Sequence, residues 1–201
     1  MKKLVLIASV LFFCVNIFAQ SITLSNGGFE NGNLVKGIKD AVEGNDWFWQ
    51  AVQNKVPGST VSLSTDEKHD GNTSLKITAS GEIAARYNVS IAKVLGLIPT
   101  LKYNLVFYAK SNQNVILNCF YNGTIIKDGE SKQTLTPGDV INIKGDNKWN
   151  KYTLQLKGKM FSGGGNWDFL QLTTLNIGLE KQSLEADLEL YLDDLELSDS
   201  K

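Results

Sequence analysis

Tyr191-Leu192-Asp193-Asp194-Leu195 is the stretch of sequence that says most about the fold. Before the two aspartates the apolar residues fall on even positions, and after them they fall on odd positions: Ala186, Leu188, Leu190 and Leu192, then Leu195 and Leu197. Side chains of a strand alternate between its two faces, so this change of phase predicts a β-bulge or kink at Asp193-Asp194. The alternative is that one strand ends there and a short tail begins.

A matching stretch, Asn26-Gly27-Gly28-Phe29-Glu30, lies near the start of the chain. Both stretches set carboxylates beside apolar, strand-like residues. Hard cations such as calcium take oxygen ligands, which Asp, Glu and the backbone carbonyls of glycine-rich turns provide. If the two stretches meet in space, they supply the ligands for one such ion.

The first nineteen residues have the pattern of a cleaved secretory signal peptide. Lys2 and Lys3 precede an apolar run over residues 4–18, and a cleavage site after Ala19 follows. The run is too short for a membrane span. We therefore expect one mature domain over residues 20–201, secreted or located in the periplasm or at the cell surface, without membrane insertion.

The charge of the chain is nearly balanced, with 20 basic and 21 acidic residues and a formal net charge of −1. Because nucleic-acid binders carry basic faces, we expect no nucleic acid as partner. Outside the leader the chain has one cysteine, Cys119, and so no intrachain disulfide. Cys119 lies in an apolar strand pattern, which predicts a buried, inert thiol in preference to a nucleophile.

Most of the chain shows the period-two alternation of β-strands, broken by turn sequences such as Asn122-Gly123. Segment 35–56 has no clean period and is expected to form a long loop or an irregular strand pair. The pattern predicts a single all-β domain, a sandwich or jelly roll. The predicted strands are 60–64, 74–78, 83–91, 102–110, 115–121, 124–127, 139–144, 151–157, 170–179 and 184–197.

Five motifs follow one another in a characteristic order: Asn26 to Glu30, Asp70 to Ile77, Tyr103 to Lys110, Trp149 to Leu154 and Tyr191 to Leu195. In this order they resemble the calcium-containing jelly-roll carbohydrate-binding modules of families 4, 9 and 22, within the wider galactose-binding-like group. The resemblance spans nearly the whole mature chain. It implies a jelly-roll sandwich and an oligo- or polysaccharide ligand, although this fold also serves in adhesins and enzyme accessory domains.

The resemblance also implies a structural calcium that joins the N-terminal segment to the last strand. Asp194 competes with Asp193 as a ligand, because the bulge leaves the directions of both side chains open. The alternative is that these acids are solvated turn residues. The implied ligands are the side chains of Glu30 and Asp193, with carbonyls near Gly28, Lys68 and Gly71.

Alternation along the strands selects the residues that could contact a ligand. Sugars present apolar faces ringed by hydroxyls, which flat aromatic rings bind together with amide and guanidinium groups. Trp167 follows a glycine-rich loop and is expected either to offer a further platform or to pack. An outward aromatic residue can also be merely covered by a loop. We expect one exposed sheet face, the groove position of glycan-chain binders in this family, formed by Arg86, Tyr108, Asn118 and Phe120.

The sequence contains no marked catalytic constellation. His69 is the only histidine and is predicted to be an exposed loop residue, and no nucleophile elbow accompanies it. We therefore expect a non-catalytic carbohydrate-binding protein with a structural calcium. The alternatives are an adhesin-like sandwich that contacts another protein and binds no glycan, or a jelly-roll polysaccharide lyase that uses Arg86, Tyr108 and Lys110.

Overall fold

The computed structural model describes residues 24, 26–30, 34–36, 47–49, 56, 58–85, 89–95, 103–127, 130–135, 138–156 and 169–199. Within these residues no helix is long and apolar enough to cross a membrane. The regular elements are all strands: β1 Leu34–Lys36, β2 Trp47–Trp49, β3 Thr60–Ser64, β4 Ser74–Ala79, β5 Glu82–Ile83, β6 Ser90–Leu95, β7 Tyr103–Ser111, β8 Val115–Lys127, β9 Glu130–Leu135, β10 Asp139–Ile143, β11 Asn150–Leu156, β12 Phe169–Leu179, β13 Gln182–Ser183 and β14 Leu188–Asp199.

The strands of the described chain form two large sheets and one small one. A seven-stranded sheet has the order β1-β2-β6-β12-β8-β10, with β9 paired to the far end of β8. A five-stranded sheet has the order β11-β7-β14-β4-β3, and β13 pairs with β5. Consecutive strands β7 and β8 therefore lie in different sheets, so the chain crosses the sandwich between them.

The core lies between the two large sheets and follows from the alternation of the strands. In β7 every second residue is buried, and Tyr103, Leu105 and Phe107 are at most 1% exposed. Leu117 on β8 and Ile177 on β12 belong to the same hydrophobic cluster from the opposite sheet. Burying a large apolar side chain contributes about 1.5–3 kcal/mol, so this two-sided cluster stabilises the sandwich. The predicted all-β sandwich is confirmed.

Two expectations about individual strands need correction. The strand predicted over 83–91 is two elements, β5 and β6, in different sheets. The strands predicted over 115–121 and 124–127 are one strand, β8, which continues through Asn122-Gly123. That dipeptide forms no turn because β9 and β12 pair with it from both sides. Within segment 35–56 the structure shows β2, which pairs in parallel with β1 and agrees with the expected alternative of an irregular strand pair.

The predicted bulge in the last strand is confirmed. The pairing of β14 with β7 shifts register between Asp193 and Glu196, and Asp194 has a φ of 49°. Leu192 before the bulge and Leu195 after it are both buried, so the extra residue keeps both apolar runs in the core. The bulge lies where β14 approaches the start of the chain.

Cys119 is buried in the core, as predicted. Burial raises the pKa of its thiol well above the ordinary value, because a thiolate would be desolvated there.

Candidate functional site

The two aspartate- and glutamate-bearing stretches meet in space. The amide of Leu195 donates to the carbonyl of Gly27 at 3.0 Å, and the indole of Trp47 donates to the carbonyl of Asn26 at 2.9 Å. A Cβ on Gly27 would lie 1.9 Å from the carbonyl oxygen of Leu195, so only glycine permits this approach. We call residues 26–30, 69–73 and 193–195 the clasp.

Glu30 joins the start of the chain to the loop before β4. Its carboxylate accepts hydrogen bonds from the amides of Asn72 at 2.7 Å and Thr73 at 2.9 Å. The hydroxyl of Thr73 in turn donates to the carbonyl of Phe29 at 2.7 Å. The hydrogen bond from the Thr73 amide lowers the pKa of Glu30, with smaller contributions from Asn72, because these donors favour the charged carboxylate.

Asp193 joins the same loop to the last strand. Its side chain is fully buried and accepts hydrogen bonds from the amides of His69 at 2.9 Å, Asp70 at 3.4 Å and Asp194 at 2.8 Å. Burial raises the pKa of this carboxyl group, and the neighbouring Asp194 adds to the effect, while the three amides oppose it. Asp193 is therefore a desolvated acid held by backbone donors.

The clasp bears directly on the predicted calcium ligands. A Cβ on Gly28 would lie 3.4 Å from Oδ1 of Asp194, 3.7 Å from Oδ1 of Asp193 and 3.8 Å from Cγ of Glu30. Carboxylate oxygens of Asp193 and Asp194 and the Cγ methylene of Glu30 thus lie near Gly28, and carboxylate oxygens are ligands that suit calcium. No group of three or more His, Cys, Asp or Glu among the described residues is already arranged to hold a metal.

The remaining two predicted ligands lie in or near the loop of the clasp. A Cβ on Gly71 would lie 2.3 Å from Oε1 of Glu30, so Gly71 touches the clasp carboxylate directly. Lys68 is exposed, and its ammonium donates to the carbonyl of Thr65 at 3.0 Å. The structure therefore brings Gly28, Glu30, Gly71 and Asp193 together, with Lys68 next to them in sequence.

Tyr108 lies beside the clasp on the outer face of the five-stranded sheet. Its ring stacks on His69, with ring centroids 3.5 Å apart and planes 15° from parallel. Nδ1 of His69 is 2.6 Å from Oδ2 of Asp194, and Nζ of Lys151 lies 5.8 Å from the Tyr108 centroid. These side chains border a cleft of about 400 Å³, which we call the Tyr108 cleft, lined by Gly27, Gly28, His69, Asp70, Val106, Tyr108, Lys151, Asp194, Leu195 and Glu196.

Other aromatic and charged side chains extend this outer face. Trp149 meets the ring of His69 edge-on, with centroids 5.8 Å apart. Lys110 is ion-paired with Glu67 at 2.6 Å. His69 is an exposed loop residue, as predicted, and its ring lies between Tyr108 and Asp194, which the sequence does not indicate.

The predicted single ligand face is wrong. Asn118 and Phe120 point away from the core, as alternation predicts, but they are 2% and 3% exposed. They lie on β8 in the seven-stranded sheet, while Tyr108 lies on β7 in the five-stranded sheet. Alternation gives the face of a strand but not the sheet to which the strand belongs. Arg86 and Trp167 lie outside the described residues.

The outer face of the seven-stranded sheet is polar although it is buried. Asn118 donates from Nδ2 to Glu180, and its Oδ1 is buried without a hydrogen-bond partner in the described structure. Asn176 donates to the hydroxyl of Thr174 at 3.1 Å. Sequence reasoning missed these two β12 residues, although their alternation with buried leucine and isoleucine would have shown them. We call this surface the polar face; its members are Ser90, Asn118, Thr174 and Asn176, each at most 6% exposed.

The polar face reaches solvent at the edge of its sheet. Val140 on β10 pairs with Asn118 and is 55% exposed, and Asn142 pairs with Ile116 and is also exposed. Beside them lies a second cleft of about 500 Å³, the edge cleft, lined by Asn114, Val115, Ile116, Asn142, Ile143, Lys144, Gln182 and Ser183.

Solved structures share this architecture. A Bacteroides thetaiotaomicron protein, provisionally described as sugar binding, matches with a TM-score of 0.62 at 17% identity, over 90% of this chain and all of its own. A CBM4 module matches with a TM-score of 0.56 at 18% identity, over 89% of this chain and all of its own. The tandem CBM22-1-CBM22-2 domain of Paenibacillus barcinonensis Xyn10C matches with a TM-score of 0.52 at 16% identity, over 91% of this chain and 47% of its own. The predicted jelly-roll sandwich is confirmed.

Sequence comparison gives the family. No curated protein matches the chain in sequence. The model of the Carbohydrate binding domain family of modules 4 and 9 matches residues 22–176, which is most of the chain and includes the N-terminal part of the clasp and the strands of the polar face. The chain therefore belongs to this carbohydrate-binding domain family.

Proposed function

We propose that this chain is an exported, non-catalytic carbohydrate-binding protein that holds an oligo- or polysaccharide against the polar face. Its family supports the ligand class, and the charged leader followed by an apolar run supports export. The polar face supports the location. The apolar Ala92 and Phe120 lie in the same outer face, but a face that is covered only for packing does not require the amide and hydroxyl side chains found beside them.

The observation that carries the proposal is Oδ1 of Asn118, a buried oxygen with no hydrogen-bond partner among the residues that the structure describes. A buried acceptor without a partner costs about 1–3 kcal/mol, so a hydroxyl donor at this position would be stabilising. Asn118 lies in one cross-strand row with Gly178 on β12 and the exposed Val140 on β10. A sugar at the edge strand would therefore lie one strand away from Asn118.

The edge cleft supplies further sugar partners at the same edge. Its volume lies within the range of about 300–1,000 Å³ that is typical of ligand sites. Asn142, Lys144 and Ser183 line it, and together they offer an amide, an ammonium and a hydroxyl group. These groups both donate to and accept from sugar hydroxyls.

Affinity electrophoresis through gels that contain single polysaccharides tests the proposal. We expect at least one neutral polysaccharide to retard the wild type. Asn118→Ala and Asn142→Ala should each bind about tenfold more weakly, the effect of roughly 1.4 kcal/mol. Asn104→Ala, a matched amide change on the outer face of the other large sheet, should bind as the wild type does. Retardation by no polysaccharide, or equal retardation of all three variants, would refute the proposal.

We also propose that the clasp holds a calcium ion. The carboxylates of Glu30 and Asp193, with Asp194 beside them, are the residues that would hold it, together with carbonyls near Gly28 and Gly71. The convergence of acidic groups around Gly28 supports this proposal. An ion that binds only the folded state adds about 2.7 kcal/mol to the free energy of unfolding when its free concentration is 100 times its Kd. Calcium should therefore raise the melting temperature of the chelator-treated wild type but not that of Glu30→Gln, and no response in the wild type would exclude the ion.

The absence of catalysis is part of the proposal. Among the lyase-like residues, the ammonium of Lys110 is held by Glu67 and the ring of Tyr108 is stacked on His69. Both groups are engaged by neighbouring side chains, which supports a non-catalytic role. Release of unsaturated, ultraviolet-absorbing products from any acidic polysaccharide would contradict this part of the proposal.

A further inference from the structure

We propose that the Tyr108 cleft is a second ligand site and that it takes a neutral sugar residue. It lies on the outer face of the five-stranded sheet, whereas the polar face belongs to the other large sheet. The two sites share no residue. The inference therefore goes beyond the proposed function and does not depend on binding at the polar face.

The aromatic wall of the cleft is held in place before any ligand arrives. The stack of His69 on Tyr108 fixes one ring against the other at 3.5 Å. The hydrogen bond between Nδ1 of His69 and the carboxylate of Asp194 fixes the imidazole, and the buried carboxylate of Asp193 fixes the backbone of His69 by accepting from its amide. A preorganised wall loses little conformational freedom on binding, which favours affinity.

Polar groups of both kinds border this wall. Glu196 is exposed, and its carboxylate can accept hydrogen bonds from sugar hydroxyls, as can that of Asp70. Lys151 can donate to sugar oxygens. Val106, which is partly exposed, adds apolar surface for the C–H face of a pyranose ring. This mixture of flat aromatic, apolar, donor and acceptor groups is what a sugar residue requires.

The charge of the cleft restricts the ligand further. Asp70, Asp194 and Glu196 are acidic, whereas Lys151 is the one lysine in the lining. An acidic sugar such as a uronate or a sulfated residue would meet like charges there, which disfavours it. A neutral sugar meets no such penalty.

The state of Lys151 distinguishes the cleft from the rest of this outer face. Lys76 is ion-paired with Glu189 and Lys110 with Glu67, each at 2.6 Å. Lys151 has no ion pair within the described chain, and its ammonium lies over the Tyr108 ring. Its donors therefore remain available to a ligand at the aromatic wall.

The single histidine of the chain gives a direct readout, because NMR shows one imidazole and that imidazole belongs to His69. The probes are cellohexaose, mannohexaose and laminarihexaose as neutral ligands and trigalacturonate as the acidic one. We expect at least one neutral probe to shift the His69 signals saturably and trigalacturonate to leave them unchanged. Saturable shifts with trigalacturonate alone would overturn the assignment, as would none with any neutral probe.

Matched variants separate this site from the polar face. Tyr108→Ala and Lys151→Met should weaken the neutral probe about fivefold to tenfold at this site. Thr153→Ala, an exposed neighbour of Lys151 on β11 that does not line the cleft, should bind as the wild type does. Lys151 is exposed, so Lys151→Met decides the question if Tyr108→Ala fails to fold. Equal affinity in Lys151→Met and Thr153→Ala would overturn the proposal.

The outcome is independent of the proposed function. Asn142→Ala should lose affinity at the edge cleft and keep the His69 response. Gel retardation without a His69 response would refute the second site alone. A His69 response with no effect of Asn118→Ala or Asn142→Ala would refute the polar face alone.

Discussion

The clasp makes a quantitative prediction for Asp193→Asn, a change that keeps the size of the side chain. The carboxylate accepts three amide hydrogen bonds, two at Oδ2 from the loop before β4 and one at Oδ1 from Asp194. An amide side chain keeps one acceptor oxygen and turns an NH2 group toward at least one amide donor. Leaving a buried donor without its partner costs about 1–3 kcal/mol.

Part of this cost is offset, because the substitution also removes a charge that is desolvated and adjacent to Asp194. We therefore expect a net loss of about 1–2 kcal/mol in the free energy of unfolding. For a domain of this size that lowers the melting temperature by about 2–8 °C.

The assay is thermal unfolding in chelator, so that a bound metal ion does not contribute to the difference. Asp187→Asn is the matched control, because Asp187 is exposed and no bond to its carboxylate is seen in the described structure. Surface substitutions of that kind change the free energy of unfolding by no more than about 0.5 kcal/mol. If the melting temperature of Asp193→Asn lies within about 1 °C of that of Asp187→Asn, the claim that the clasp stabilises the fold is refuted.

Two further predictions test contacts near the site. Gly27→Ala should lower the free energy of unfolding, measured in urea, by more than about 3 kcal/mol. The new Cβ would lie 1.9 Å from the carbonyl oxygen of Leu195, a backbone atom that cannot rotate away. Gly81→Ala, with φ of 70° and open space around it, should cost only about 1–2 kcal/mol, and equal losses would contradict this reasoning. The hydrogen bond from Lys76 lowers the pKa of Glu189 below its ordinary 4.5. This ion pair therefore stabilises the folded state above pH 4.5, and its contribution is lost as the pH falls through the lowered pKa. Both side chains are partly exposed, so the free energy of unfolding should fall by only about 0.2–1 kcal/mol. Urea unfolding between pH 3 and 7 should show that Glu189→Gln abolishes this acid-dependent loss, whereas Glu185→Gln keeps it.

The sequence predicts those parts of the fold that depend on local periodicity. The phase change at Asp193-Asp194 is a property of neighbouring residues, and it correctly predicts the bulge. The same holds for the alternation of β7, whose buried and outward residues fall as expected. Both follow from the period of two that a strand imposes on its side chains.

The sequence does not predict which strands become neighbours. Asn122-Gly123 has the composition of a turn, yet pairing on both sides keeps it in β8. Asn118 and Tyr108 both point outward, but from different sheets. Pairing depends on contacts between distant segments, which local alternation does not contain.

The part of the site that the sequence misses depends on contacts between residues far apart in the chain. His69 reaches Asp194 across 125 positions and stacks on Tyr108. Nothing near His69 in sequence indicates these partners. The acids of the clasp were found because each lies in a recognisable motif, whereas the histidine between them does not.

The position of a bound oligosaccharide is the most direct test of the central claim. A crystal structure should be determined with the neutral oligosaccharide that corresponds to the polysaccharide retarding the protein most strongly. We expect the sugar to lie at the edge cleft, where one of its hydroxyls donates to Oδ1 of Asn118 and the sugar contacts the side chain of Asn142. Sugar bound only elsewhere, with the polar face and the edge cleft unchanged, would contradict it.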